Sequence, residues 1–119
     1  MVRRKSGVII NISSLLGLHK SLPGSAVYAA SKAGVVGLTR TLAVELGPVG
    51  IRTSCIIPGY IETDMTAGMT EAARSAAVAG TPLRRFGNVD EVADVALFLA
   101  QCGANGAEIV IDGGLGCTR

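Results

Sequence analysis

The sequence predicts an α/β fold in which three parallel strands are joined by crossover helices. Short β-branched runs bounded by turn residues recur at 8–12, 51–57 and 109–111, the pattern of buried parallel strands. Between them lie two stretches of helical pattern, 26–46 and 88–100, so the order reads β-α-β-α-β. That order implies parallel strands connected by right-handed crossovers.

Each element has its own justification. A polar, basic lead-in ends at Gly7, and Val8-Ile9-Ile10-Asn11-Ile12 reads as a strand covered on both faces. Residues 15–25 contain Gly17, Pro23 and Gly24 and read as a loop. From Ala26 to Leu46 the pattern is helical, with Gly47-Pro48 as its stop. This helix carries many small residues: Ala26, Ala29, Ala30, Ala33, Gly34 and Gly37. An internal glycine costs a helix about 0.5–1 kcal/mol relative to alanine, so two of them imply a close neighbour, either a sheet or a second helix. Ile51 to Ile57 is the second strand, ended by Pro58-Gly59. In 60–87, Met65, Met69 and the alanines from Ala72 to Ala79 suggest one or two short, mobile helices. Asn88-Val89-Asp90 caps a helix running to Ala100, with Val92, Ala93, Ala96, Leu97 and Leu99 as its apolar face. Ile109-Val110-Ile111 is the last strand, closed by the turn Asp112-Gly113-Gly114 with no helix after it.

Composition excludes several classes. A chain of 119 residues fits one domain with a real core. Apolar residues at 49% against 17% charged argue against disorder, and sixteen glycines with 3% aromatics suit a closely packed, turn-rich protein. A net charge of +2, with no basic run among aromatics, argues against a nucleic-acid partner. Met-Val-Arg-Arg-Lys faintly resembles the start of a signal peptide, but Asn11, Ser13 and Ser14 break the apolar run at once. That run is too short for a membrane span, so the expectation is no membrane partner and a cytoplasmic protein. An organelle matrix would follow if a segment upstream carried a targeting signal. Cys55, Cys102 and Cys117 are odd in number and lack a CxxC spacing, which reads as free thiols in a reducing compartment. His19 is the single histidine and reads as a loop surface residue; no metal site is expected.

Tyr28 and Lys32 carry the chemistry. Four residues apart on a helix, they project from one face, one turn apart. An ammonium held beside a phenol favours the phenolate and makes the phenol a usable acid near neutral pH. In parallel sheets, ligands bind beyond the carboxyl ends of the strands. Ser13 and Ser14 follow the first strand there, Gly59 to Thr63 follow the second, and the helix bearing Tyr28 begins close by. Bland readings stand beside these. Either serine can satisfy backbone at a strand end, Thr63 can cap a short helix, and Lys32 can be a solvated helix lysine.

Four motifs stand in order: Gly-Val-Ile-Ile-Asn-Ile-Ser-Ser, Tyr-Ala-Ala-Ser-Lys, Pro-Gly-Tyr-Ile-Glu-Thr and Ile-Asp-Gly-Gly. On these the chain resembles the short-chain dehydrogenase/reductase family from Gly7 to Gly114. Ala-Gly-Val-Val-Gly-Leu-Thr-Arg at 33–40 and Pro-Leu-Arg-Arg-Phe-Gly at 82–87 are most similar to its 3-oxoacyl-(acyl-carrier-protein) reductases and related carbonyl reductases. The resemblance implies the C-terminal half of a doubly wound, Rossmann-type parallel sheet. Residues 1–119 would then be a partial domain, starting just before the fifth of the family's seven strands. The family's Thr-Gly-x-x-x-Gly-x-Gly turn and its Asn-Ala-Gly motif are absent from the sequence, and with them the glycine-rich nucleotide-binding half. The first strand would present an open edge. The segment Gln101 to Gly106 is shorter than the family's usual connection.

The resemblance also implies roles. Tyr28 is the general acid toward a carbonyl oxygen, and Lys32 tunes it and holds the nicotinamide ribose. Ser14, in preference to Ser13, polarises the substrate carbonyl. Thr63 and the Ile61 backbone bind the carboxamide, while Pro58 and Gly59 let the chain pass close to the ring. The implied activity is reduction of a 3-oxoacyl thioester or similar carbonyl, with NADP(H) in preference to NAD(H). The implied assembly is a homo-oligomer through the helix 26–46. Arg84 and Arg85 are candidates for contacting a carrier-linked substrate, or belong to a solvated face. The alternative is a non-catalytic fragment or pseudoenzyme that associates with a full-length relative.

Overall fold

A computed structural model describes residues 1–118. Strands β1 (Gly7–Ile12), β2 (Ile51–Pro58) and β3 (Glu108–Ile111) form one parallel sheet in the order β1-β2-β3. Gly7 lies opposite Ile51 and Ile12 opposite Ile56, while Cys55 pairs with Glu108 and Pro58 with Ile111. Helix α1 (Ala26–Leu46) connects β1 to β2. The return to β3 passes through α2 (Asp64–Ala67), α3 (Glu71–Gly80) and α4 (Val89–Gln101). The predicted α/β architecture is the observed one.

β2 is central and almost wholly buried because both its faces are covered. Side chains alternate across a strand. Cys55 and Ile57 therefore turn to one face and pack with Val36 of α1. Arg52 turns to the other face and donates to the carbonyls of Leu99 and Ala100, both at 2.9 Å, and of Ala104 at 3.2 Å. A guanidinium there satisfies the unpaired carbonyls at the end of α4 and complements its dipole. The short segment after α4 is tied down by Asn105, which accepts from the Thr53 N–H and donates to the Ala43 carbonyl, both at 2.9 Å. On β1, the Asn11 amide donates to Thr39 Oγ1 at 2.9 Å and fixes α1 against the sheet.

α1 ends at Leu46, where Gly47-Pro48 was expected to stop it; Gly47 has φ −53°, a 3-10 turn follows over Gly47–Val49, and the chain reverses at Gly50 with φ 76°. A Cβ on Gly50 would stand 2.2 Å from the Lys5 carbonyl oxygen, so only glycine closes this turn. Gly34 and Gly37 do not mark a close neighbour within this chain: a Cβ on either would meet nothing within 4 Å. α4 buries Leu99 and turns Val92, Val95 and Ala96 inward, whereas Ala93 and Leu97 are exposed. The inward stripe at i, i+3, i+4 and i+7 shares Val92, Ala96 and Leu99 with the predicted face and has Val95 where Ala93 and Leu97 were expected. A 3-10 turn, Leu115–Cys117, does follow Asp112-Gly113-Gly114. The Asp112 carboxylate shapes it by accepting from the N–H groups of Gly114 at 2.8 Å and Gly116 at 2.6 Å.

Candidate active site

The carboxyl ends of β1 and β2 open on a groove of about 340 Å³. Strand pairing persists past β1, since the N–H groups of Ser13 and Leu15 donate to the Ile56 and Pro58 carbonyls at 2.9 Å. That pairing delivers Ser13 and Ser14 to the groove floor. α1 starts above it and brings Tyr28 in its first turn and Lys32 one turn later. Pro58, Gly59, Ile61 and Thr63 arrive from the end of β2. Ser13, Ser14, Tyr28, Lys32, Pro58, Gly59, Ile61 and Thr63 all line this one groove.

The two serines differ in their surroundings. Ser13 is buried at 3% exposure, and its hydroxyl donates to the Lys32 carbonyl at 2.7 Å. It fastens α1 to the strand end. Ser14 is half-buried, and its Oγ accepts from the Leu16 N–H at 3.2 Å. Its own O–H has no protein acceptor among the described residues.

Tyr28 is 40% exposed and faces the groove. Lys32 Nζ lies 5.8 Å from the Tyr28 ring centre and donates to the Ile12 carbonyl at 3.0 Å. An ammonium has three donors, so others remain for a ligand. Lys32 is the single charged side chain lining the groove among the described residues, which makes the site favourable to negative charge.

The segment after β2 is held by a short network. Gly87 pairs with Tyr60–Glu62 through Gly87 N–H to Tyr60 O at 2.8 Å and Glu62 N–H to Gly87 O at 2.9 Å. Thr63 sits at the N-cap of α2, and its N–H donates to Thr66 Oγ1 at 2.9 Å. The same Thr66 hydroxyl donates to the Ile61 carbonyl at 2.7 Å. The Ile61 N–H donates to no protein acceptor among the described residues. Gly59 has a structural reason for its identity, because a Cβ there would stand 2.8 Å from Asp112 Cβ.

Sequence reasoning missed Ile12, Met65, Thr66, Val89 and Val92, which also line the groove. Val89 and Val92 read as helix start and core face, and only the docking of α4 brings them here. The Thr63-x-x-Thr66 spacing was the one available signal, a reciprocal cap. Arg84 and Arg85 do not line the groove. Arg85 borders a separate hollow of about 450 Å³ and is engaged by Glu91 at 2.6 and 3.0 Å. Arg84 donates to the Ala79 carbonyl. Neither arginine therefore forms a basic rim at this groove. His19 is exposed in its loop. The three cysteines are unpaired, and burial pushes the Cys55 thiol up. Among the described residues no helix is long and apolar enough to cross a membrane.

Comparison with known proteins decides the family. The family model described as enoyl-(acyl carrier protein) reductase matches residues 1–116. A 3-oxoacyl-(acyl-carrier-protein) reductase of Thermotoga maritima is 48% identical over 118 residues, covering 97% of this chain and 48% of that protein. The chain belongs to the short-chain dehydrogenase/reductase family. A (3R)-3-hydroxyacyl-CoA dehydrogenase of Mus musculus is 46% identical over 92% of this chain and 43% of its own length. Among solved structures, a 3-oxoacyl-(acyl-carrier-protein) reductase from Brucella melitensis superposes with a TM-score of 0.90 at 39% identity, covering 97% of this chain and 44% of that one. A gluconate 5-dehydrogenase from Burkholderia cenocepacia, in complex with NADP and tartrate, gives a TM-score of 0.92 at 33% identity, over 99% of this chain and 48% of that one. The chain spans about half the length of the curated relatives it matches. Its three-stranded α/β structure is thus part of the Rossmann-type fold of these proteins.

Proposed function

We propose that this groove carries out the chemical step of an NAD(P)(H)-dependent oxidoreductase that reduces a carbonyl, a 3-oxoacyl thioester or a similar substrate, to an alcohol. The single observation that carries the reading is the convergence of Tyr28, Lys32 and Ser14 at the carboxyl ends of two parallel strands. Residues 1–119 are, on this reading, the catalytic part of a larger domain.

The residues present suit the nicotinamide–ribose end of the cofactor. Lys32 has donors to spare for a ribose hydroxyl, and the unpaired Ile61 N–H is available to a carboxamide oxygen. Thr63 borders the same space. When bound, the dinucleotide supplies the hydride, and NADP(H) is our choice over NAD(H). Ser14 directs its free O–H at the substrate carbonyl, a donor aimed where negative charge develops. Tyr28 then donates its phenolic proton to that oxygen. Lys32 stabilises the phenolate left behind. The relatives named as 3-oxoacyl-(acyl-carrier-protein) reductases support the substrate class. Three free thiols suit a reducing compartment such as the cytoplasm.

The test is turnover of a 3-oxoacyl thioester at millimolar NADPH, with Tyr28→Phe beside the parent chain. Loss of a positioned general acid lowers kcat by about 10²–10⁴-fold. Because Tyr28 is 40% exposed, the variant should keep its fold by circular dichroism. Full turnover in folded Tyr28→Phe removes Tyr28 from the acid role.

A second reading rests on the outer face of α1. Val27 is 86% exposed, Leu38 51% and Val44 77%, and Gly34 and Gly37 lie open between them. Such a small-residue stripe lets another helix approach closely, so this face joins copies of the chain, or joins it to a complete relative without turnover of its own. Sedimentation at micromolar concentration tests this, and a strict monomer in the presence of such a relative rules it out.

A further inference from the structure

One cluster outside the reacting groups bears on the groove. The Tyr60–Thr63 segment carries Ile61 and Thr63 to the rim, and Glu62 lies between them, exposed on the other side. Its carboxylate is bound by Arg74 of α3. The Arg74 guanidinium also lies 4.4 Å from the centre of the Phe86 ring. Phe86 is 4% exposed, and its ring stacks on Tyr60 at 5.2 Å between centres and 17° between planes. Arg74 therefore joins α3 to the strand-end segment through Glu62 and to Phe86, whose ring stacks on Tyr60 of that same segment.

Ala77 is the single buried residue of α3, and Arg84 holds the last turn by donating to the Ala79 carbonyl. A planar guanidinium can bond a carboxylate through its edge and lie face-on to a ring at once, whereas an ammonium is a point charge with no plane to stack.

We propose that Arg74 is a positioning residue: by bridging Glu62 and Phe86 it locks α3 onto the Tyr60–Thr63 segment and so fixes Ile61 and Thr63 at the groove rim. The ordering of the segment stands by itself. Its consequence for cofactor binding rests on the oxidoreductase reading above.

Hydrogen exchange on the chain, comparing the parent with Arg74→Ala, Arg74→Lys and Glu62→Gln, tests the ordering directly. Loss of the ion pair and the cation–π contact together gives roughly tenfold faster exchange in 60–66 and 71–80 for Arg74→Ala. Arg74→Lys and Glu62→Gln should fall between it and the parent, and exchange in α1 should not move. Unchanged exchange in 60–66 overturns the proposal, and so does acceleration confined to α3. In turnover, Arg74→Ala should raise the KM for NADPH with kcat held within about twofold, the pattern of lost uniform binding. A loss in kcat at unchanged KM overturns the positioning role. A parent chain with no turnover bears on the oxidoreductase reading alone, and the exchange data then decide this one.

Discussion

Neighbouring residues of the same type have different fates here. Ser13 and Ser14 are adjacent, yet one hydroxyl is spent on the Lys32 carbonyl while the other faces the groove with its proton unused. The two lie past the end of β1, and only Ser13 Oγ donates to the Lys32 carbonyl, so one hydroxyl serves the structure and the other is left to the site. Glu91 shows how local partners set a charge. The Arg85 guanidinium, then the Asn88 N–H, hold its carboxyl at about 2 rather than 4.5. A carboxyl with a depressed folded value adds stability above its unfolded value, and that stability is lost as pH falls from about 4.5 toward 2. In Arg85→Gln the Glu91 titration, followed by side-chain NMR, should move up toward 4.5, and the fall in stability over that pH window should be shallower. An unmoved midpoint would show that Arg85 is not the cause.

At the scale of elements, α1 is the informative helix. Its inner face is fixed by Val36, Thr39 and Ala43, while its outer face is left open. The sequence told that glycines at 34 and 37 need a reason but not which side they face, because spacing gives a face and not its partner. Gly34→Ala tests this. With open space around it, alanine should stabilise the isolated chain in urea unfolding by about 0.5–1 kcal/mol. The same change should weaken any association through this face. A destabilised monomer would mean that Gly34 is already covered. α4 gives the opposite lesson, since its start was legible from Asn88-Val89-Asp90, and the Asn88 side chain does cap it, Oδ1 accepting from the Asp90 N–H at 2.7 Å. Its buried face was legible only in Val92, Ala96 and Leu99, because Val, Ala and Leu occur on several sides and docking on β2 chooses among them.

For the whole molecule, the sheet ends at β1 on one side and at β3 on the other. The groove offers contacts to one end of a dinucleotide. A pyrophosphate is ordinarily held by amides at a glycine-rich turn opening a helix, a motif the sequence lacks. NADPH should therefore bind this chain weakly, with Kd in about the millimolar range, near −4 kcal/mol. A fluorescence titration that saturates at micromolar NADPH would contradict this. Family and fold were legible because four motifs stand in order along the chain, and the matched family model and superposed relatives agree with them.

The sequence by itself determined the strands, the crossover order and the eight residues that meet in the groove. The strands and their order follow from local chemistry, β-branched runs and capping residues, and Tyr28 with Lys32 from one helical turn of spacing; the other groove residues were named by the motifs shared with the family. Tertiary structure alone decided which serine is free and which face of α1 is open. It also decided that Arg85 turns away to Glu91, and that Arg74 ties α3 to the rim. Each of these depends on a partner at least six residues distant or on which side of a packed element a side chain falls. Neither is encoded in spacing; both are fixed only when the helices settle on the sheet.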